Sequence, residues 1–153
     1  MDLILWRHAE AEDEAEGLAD MERALTPRGE KQAARMAIWL DRHLPEGTRI
    51  FTSPALRCEQ TVTALGRKAR RRDELAPDAT VEGVLKAAQW PAARQPVLIV
   101  GHQPVLGATV AQLLGMQGGG CPLRKGAVWW LRTRERDGQQ QTVVWAVQSP
   151  ETV

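Results

Sequence analysis

The stretch Leu3-Ile4-Leu5-Trp6-Arg7-His8-Ala9-Glu10 decides how the chain is read. Four apolar residues end abruptly in a pair of cation-forming side chains. Buried parallel strands read as continuous apolar runs, and open α/β sheets bind ligands just beyond the carboxyl ends of their strands. Residues 3–6 are therefore predicted as a central strand with Arg7 and His8 at its tip. An Arg-His pair is common on protein surfaces. This one gains weight because later segments repeat the arrangement.

Val97-Leu98-Ile99-Val100 is the strongest buried-strand signal in the chain, and it ends in Gly101-His102-Gln103-Pro104. Gly101 permits a tight turn or a close backbone approach, and residues 105–114 then read as a helix closed by Gly115. Between the two strands, Arg49-Ile50-Phe51-Thr52 is a short strand. Ser53-Pro54 after it reads as the cap and proline that open a helix. Cys58, Val62, Leu65 and Ala69 give that helix an apolar stripe. Arg57 lies in its first turn and off the stripe, beside a helix N-terminus that already favours anions.

The remaining segments fill in the architecture. Thr26-Pro27 opens another helix with the stripe Ala33, Met36, Ala37, Leu40 and Leu44, ended by Pro45 and Gly47, with His43 as a surface residue in its last turn. Residues 81–93 hold a further short helix, ending at Pro91 or earlier. Residues 127–133 and 141–148, rich in Trp and Val around Asp137-Gly138, read as a β-hairpin at the sheet edge, with Trp129, Trp130 and Trp145 as packing residues. The acidic stretch holding Glu10, Glu12, Asp13, Glu14, Glu16, Asp20 and Glu22 lacks apolar periodicity. It reads as a loop or frayed helix over the first strand tip.

Alternating strands and helices predict an α/β fold: a three-layer α/β/α sandwich with a mostly parallel central sheet and an antiparallel edge hairpin. At 153 residues, with 43% hydrophobic and 25% charged residues and a net charge of +1, a single globular domain over residues 1–153 is expected. A monomer is expected too. The basic run Lys68, Arg70, Arg71 and Arg72 has no interleaved aromatics and reads as a solvated edge, so nucleic acid is not an expected partner. Nor is a membrane, since no run approaches the ~18 apolar residues of a span. No signal peptide is recognisable, and two cysteines are too few for a disulfide framework, so a cytoplasmic location is expected.

In a parallel sheet with right-handed crossovers the three strand tips share one edge. Arg7, His8, Arg57 and His102 then converge into a pocket for a dianion, because guanidinium forks match phosphate oxygens. Other phosphate chemistries drop out. A cysteine-dependent phosphatase needs an arginine six positions after its thiol, where Cys58 has Ala64 and Cys121 has Ala127, and no GxxxxGK[ST] loop is present. No metal site is expected, because carboxylates crowded in sequence lack convergent geometry and only His8 lies near them.

On these residues the chain resembles the histidine phosphatase superfamily, also called phosphoglycerate mutase-like. Arg7-His8-Ala9 resembles its Arg-His-Gly signature, and Leu25-Thr26-Pro27-Arg28-Gly29, Ser53-Pro54-Ala55-Leu56-Arg57 and Gly101-His102 resemble its later blocks in order. Asp20 and Arg23 ahead of Leu25-Thr26, with Gln148-Ser149-Pro150 near the end, resemble the compact SixA-type phosphohistidine phosphatases. The resemblance implies a covalent mechanism without cofactor or metal. His8 would attack phosphorus, and Arg7, Arg57 and His102 would hold the phosphoryl oxygens. His8 must be neutral, its tautomer fixed by a carbonyl or an acid, while His102 is the histidine expected to carry charge.

Two features bear on substrate. Ala9 stands where the family usually has glycine and adds a methyl beside the nucleophile. Larger members also carry a capping insertion with a glutamic acid for alcohol leaving groups, for which this chain has little room. An imidazole leaving group, with a conjugate-acid pKa of ~6.5, needs less help than an alkoxide. The expected partner is therefore a phosphohistidine-bearing signalling or phosphotransfer protein, with phosphate as product. A small-molecule phosphomonoesterase and a non-catalytic phosphate-binding module are the competing expectations. Asp20 is the candidate acid or water-positioning group.

Overall fold

The computed structural model describes residues 1–153. One sheet runs through it in the spatial order β3-β2-β4-β1-β5-β6. In chain order the elements are β1 (Asp2–Arg7), α1 (Pro27–His43), β2 (Arg49–Thr52), α2 (Leu56–Thr63), β3 (Arg70–Arg71), α3 (Val81–Ala88), β4 (Val97–Gly101), α4 (Val105–Leu114), β5 (Val128–Arg136) and β6 (Gln139–Gln148). β1, β4, β2 and β3 are parallel, and β5 and β6 join antiparallel beside β1. The three-layer sandwich predicted above is the fold observed.

Alternation of side chains along the central strands splits the core in two. Leu3, Leu5, Val97 and Ile99 pack with Val84, Ala87 and Ala88 of α3 and Leu106 and Val110 of α4. Ile4, Trp6, Leu98 and Val100 pack on the other face with Met36, Ala37 and Leu40 of α1 and Cys58 and Val62 of α2. Residues of β1 and β4 contribute to both halves, which is why these strands are apolar throughout, and each fully buried Leu or Ile is worth ~1.5–3 kcal/mol. Thr26 caps α1, its Oγ1 accepting the Gly29 N–H at 2.9 Å, with Pro27 at the first position. The hairpin turns at Asp137-Gly138 with φ of +53° and +76°, the left-handed pair that a two-residue hairpin needs.

The structure corrects several local expectations. Ser53 is not the cap of α2; the cap position is Ala55, and the helix starts at Leu56. That helix also ends at Thr63, so Leu65 and Ala69 reach the core from the loop beyond it. Trp130 is buried, but Trp145 is 56% exposed, with the Arg132 guanidinium stacked 3.7 Å above its ring. A register shift between Trp130 and Leu131 leaves Trp145 outside the regular pairing. No helix is long and apolar enough to cross a membrane.

Candidate active site

β1, β2 and β4 run in the same direction and lie side by side, so their carboxyl ends meet. Arg7 closes β1 with His8 next to it, His102 follows β4, and Arg57 enters from the first turn of α2 just after β2. The structure brings all four together. The His8 and His102 rings meet edge to face with centroids 5.3 Å apart, and Arg57 Nη2 lies 3.4 Å from His102 Nδ1.

His8 is held from all sides. Its N–H donates to the Gly101 carbonyl at 3.1 Å, and its carbonyl accepts from Gly126 N at 3.0 Å. The next two backbone N–H groups are fixed by side chains from the helices: Ala9 N donates to Thr61 Oγ1 at 3.1 Å and Glu10 N to Gln32 Oε1 at 2.9 Å. Thr26 Oγ1 donates to the Glu10 carboxylate at 2.7 Å. Gly29 is required where α1 crosses this loop, because a Cβ there would fall on the Glu10 carbonyl oxygen. Sequence reasoning missed this contact; the signal for it was a glycine in the first turn of a helix, where glycine otherwise costs stability.

The ring of His8 has a defined tautomer. Its Nδ1 lies 2.7 Å from the Ala9 carbonyl oxygen, which only accepts, so Nδ1 carries the proton and Nε2 keeps its lone pair. Burial pushes the ring down to about 4, opposed by that carbonyl and reinforced by the positive Arg57, Arg7 and Arg23. At neutral pH His8 is an uncharged base. The Ala9 methyl packs with Leu25 and Ala33 in a small apolar cluster, so it does not decide how open the pocket is.

His102 is neutral in the free protein, contrary to the charge expected from sequence. Burial pushes it down to about 3, and neighbouring His8 and Arg57 push the same way. Its Nε2 sits 2.8 Å from Ser53 Oγ, a partner that sequence reasoning assigned to helix capping.

The two arginines are buried to different degrees and share a property. Arg57 is 3% exposed and donates Nη1 to the Asp20 carbonyl at 2.8 Å and Nη2 to the Asp20 carboxylate at 3.1 Å. Arg7 is half-buried and donates Nη1 to the Leu123 carbonyl at 2.7 Å. The Nε–H groups of both are buried without a partner. Unpaired buried donors cost stability, and both of these lie on cations at the same sheet edge.

Asp20 opens a short 3₁₀ turn, Asp20–Glu22, in the acidic segment. Its carboxylate also takes Arg23 Nε at 3.0 Å. Partial burial favours the neutral acid, but hydrogen bonds and charge from Arg57 and Arg23 outweigh it and hold the group below the usual carboxylate range. The carboxylate is thereby held against Arg57 and Arg23 at the edge of the site. Glu12, Asp13, Glu14, Glu16 and Glu22 are exposed, and Glu10 is half-buried against Thr26. No group of three or more His, Cys, Asp or Glu side chains with metal-binding geometry occurs in the molecule.

A parallel α/β sheet with two histidines and two arginines gathered at its carboxyl edge defines a phosphoryl-binding class of protein. Comparison with known proteins names it. The model of the histidine phosphatase superfamily (branch 1) matches residues 3–79. Phosphohistidine phosphatase SixA of Escherichia coli is 32% identical over 122 residues, 74% of each chain. A structure of SixA from Nakamurella multipartitia superposes with a TM-score of 0.80 at 30% identity, covering 97% of this chain and 95% of its own. A protein histidine phosphatase SixA complexed with tungstate gives 0.77 at 28% identity over 98% and 97%. The chain belongs to the histidine phosphatase superfamily.

Proposed function

We propose that this chain is a metal-independent phosphohistidine phosphatase that hydrolyses phosphohistidine on a signalling or phosphotransfer protein through a phosphohistidine of its own at His8. The observation that carries the reading is the His8 tautomer. With Nδ1–H held by Ala9 O at 2.7 Å, the free Nε2 lone pair is the nucleophile, and it is uncharged at working pH because burial lowers the ring to about 4. Nε2 attacks phosphorus, the substrate's P–N bond breaks, and its imidazole departs with a proton. Water then attacks the phosphorus on His8, the enzyme's P–N bond breaks, and inorganic phosphate leaves. Arg7, Arg57 and His102 hold the equatorial oxygens and balance their charge through both steps.

Substrate choice follows from the leaving group. With Asp20 ionised by its arginines, the site lacks a strong acid for an alkoxide, whereas a protonated imidazole leaves unaided. The similarity to SixA proteins of two organisms supports the same choice. Asp20 holds Arg57 in place.

The test is to trap the intermediate. Brief incubation with a radiolabelled phosphohistidine protein is expected to leave an acid-labile, base-stable phosphoryl group on His8. His8→Ala is expected to lose the label and at least ~10⁴-fold in kcat, as removal of other enzymatic nucleophiles does. Faster turnover of sugar phosphates than of phosphohistidine would make the chain a small-molecule phosphomonoesterase. Binding of phosphate with neither label nor turnover would make it a binding module.

A further inference from the structure

We propose that Ser53 is the positioning residue that fixes His102 in its Nε2–H tautomer, so that Nδ1 is where one proton enters together with a bound phosphoryl dianion. The inference rests on reading the site as a phosphoryl pocket and adds how that pocket balances charge.

The tautomer follows from which groups are able to donate. Arg57 Nη2 lies 3.4 Å from His102 Nδ1, and a guanidinium only donates, so Nδ1 is the acceptor. A neutral imidazole has one N–H, which is therefore on Nε2. There Ser53 Oγ receives it at 2.8 Å. Ser53 is fully buried at the end of β2, its own N–H donating to Val100 O at 3.0 Å and its Oγ also accepting Ala55 N–H at 3.2 Å. These bonds hold the hydroxyl where the ring needs it. Cys58 Sγ is 3.5 Å from the same Nε2. Burial pushes that thiol up to about 12, so it stays protonated and does not compete for the ring proton.

The groups around His102 explain why a proton must arrive with the ligand. His8 faces it from the tip of β1, Arg57 and Cys58 from α2, and Asp20 and Arg23 from the acidic segment. The single carboxylate in this set, Asp20, is spent on the two arginines. Without an anion the ring is neutral and its Nδ1 lone pair faces Arg57 Nη2, which an incoming anion would draw away from it. A phosphoryl oxygen placed against that lone pair is repelled. Once one proton from solvent enters Nδ1, the same atom donates to the oxygen, and the added positive charge offsets part of the dianion. The reaction is one proton and one dianion bound together, with no bond made or broken in the protein.

Tungstate serves as the probe, because it is already a dianion near pH 8 and brings no proton change of its own. Calorimetric titration at that pH, in buffers of different ionisation heat, is expected to show about one proton taken up per tungstate by the wild-type protein. Ring ¹⁵N shifts are expected to report His102 as the Nε2–H tautomer when free and as doubly protonated when bound. In Ser53→Ala the ring is released to adopt the Nδ1–H form, which donates without taking up a proton, so uptake per tungstate falls by half or more while Ser53→Thr restores it. His8→Asn keeps the uptake. An Nδ1–H tautomer in the free wild type, unchanged uptake in Ser53→Ala, or loss of uptake in His8→Asn would each overturn the inference. Tungstate binding without proton uptake overturns this inference alone. No tungstate binding at all overturns the phosphoryl pocket as well.

Discussion

The parallel strands of this sheet place cations at both of their ends, and the two ends treat them differently. At the amino ends of β2 and β4, Arg49, Gln89, Ala92, Ala93, Arg94 and Gln95 line a hollow of about 560 Å³. There Arg49 is paired with Gln89 Oε1 at 3.0 Å and lies over the Phe51 ring, and Arg94 is exposed to water. At the carboxyl ends, Arg57 and His102 are each 3% exposed, and two arginine Nε–H groups have no partner. The hollow at the amino ends holds satisfied or solvated cations. The carboxyl edge holds buried ones, two of whose Nε–H groups have no partner. The contrast between the two ends is one of electrostatic satisfaction, whereas pocket size is the usual first guide to a site.

The most direct way to break this comparison is to remove a buried cation from the carboxyl edge. Arg57→Ala takes away a guanidinium that neighbours His102 and draws Asp20 over the site. Loss of one preorganised donor to a transition-state oxygen costs ~10²–10³ in kcat, and that is the expected loss on a phosphohistidine protein, measured by phosphate release. A change confined to KM would mean that Arg57 binds ground state and transition state alike.

A second test uses acid, because only the carboxyl edge holds histidines whose protonation is suppressed by folding. The sign is fixed by the direction of the shift. His8 is lowered to about 4 and His102 to about 3 from an ordinary value of 6.5. Below pH 6.5 the unfolded chain takes up protons that the folded one refuses, so stability falls as pH drops from 6.5 towards 4. For His8 alone the loss is on the order of 3 kcal/mol. Denaturant midpoints across that range are expected to fall steeply in the wild type and less steeply in His8→Asn and His102→Asn. A parallel fall in all three proteins would show that the histidines do not carry the effect.

These tests also separate what the sequence made legible from what it did not. The run at residues 3–8, the run at 97–102, the Thr26-Pro27 cap and the Asp137-Gly138 turn are local signals, and each stands in the structure as read. A strand's apolar pattern and a turn's left-handed demand are written in adjacent residues. What escaped depends on partners distant in the chain. Ser53 has the composition of a helix cap, but its hydroxyl serves His102, 49 residues away. The charge on His102 was misjudged because burial, its largest influence, is a property of the packed site. Asp20 was visible as an acid, and its low proton affinity was not, because Arg57 lies 37 residues further on. Cys121 and Leu123 sit in a segment with little pattern, and yet the Leu123 carbonyl anchors Arg7.

The comparison sharpens further at Gly29, which reaches the carboxyl edge through the backbone alone. A methyl there would collide with the Glu10 carbonyl oxygen, and that loop carries His8 two residues earlier. Backbone overpacking of this kind costs ~1–3 kcal/mol. Gly29→Ala is expected to lower the free energy of unfolding by that amount and to reduce kcat, with phosphate release and chemical denaturation measured on the same preparation. A stability loss with kcat intact would show that the loop shifts without moving the His8 ring.

The smallest expected effect belongs to the other end of the strands. Arg49→Ala removes a cation from the hollow at the amino ends, together with its bond to Gln89 and its place over the Phe51 ring. Phe51 is 2% exposed, and Arg72 also lies over it at 4.9 Å, so the ring keeps a cover. Surface substitutions of this kind change stability by ~0.5 kcal/mol or less, and no side chain of the His8 site touches Arg49. The expected result is a kcat/KM within about twofold of wild type on the phosphohistidine protein, since a uniform effect on folding does not distinguish ground from transition state. If Arg49→Ala instead raised KM several-fold with kcat unchanged, a substrate protein would have to reach from the His8 edge to the opposite end of β2. The two ends would then belong to one binding surface, and the contrast between buried and solvated cations would describe the division of that surface into a chemical part and a docking part.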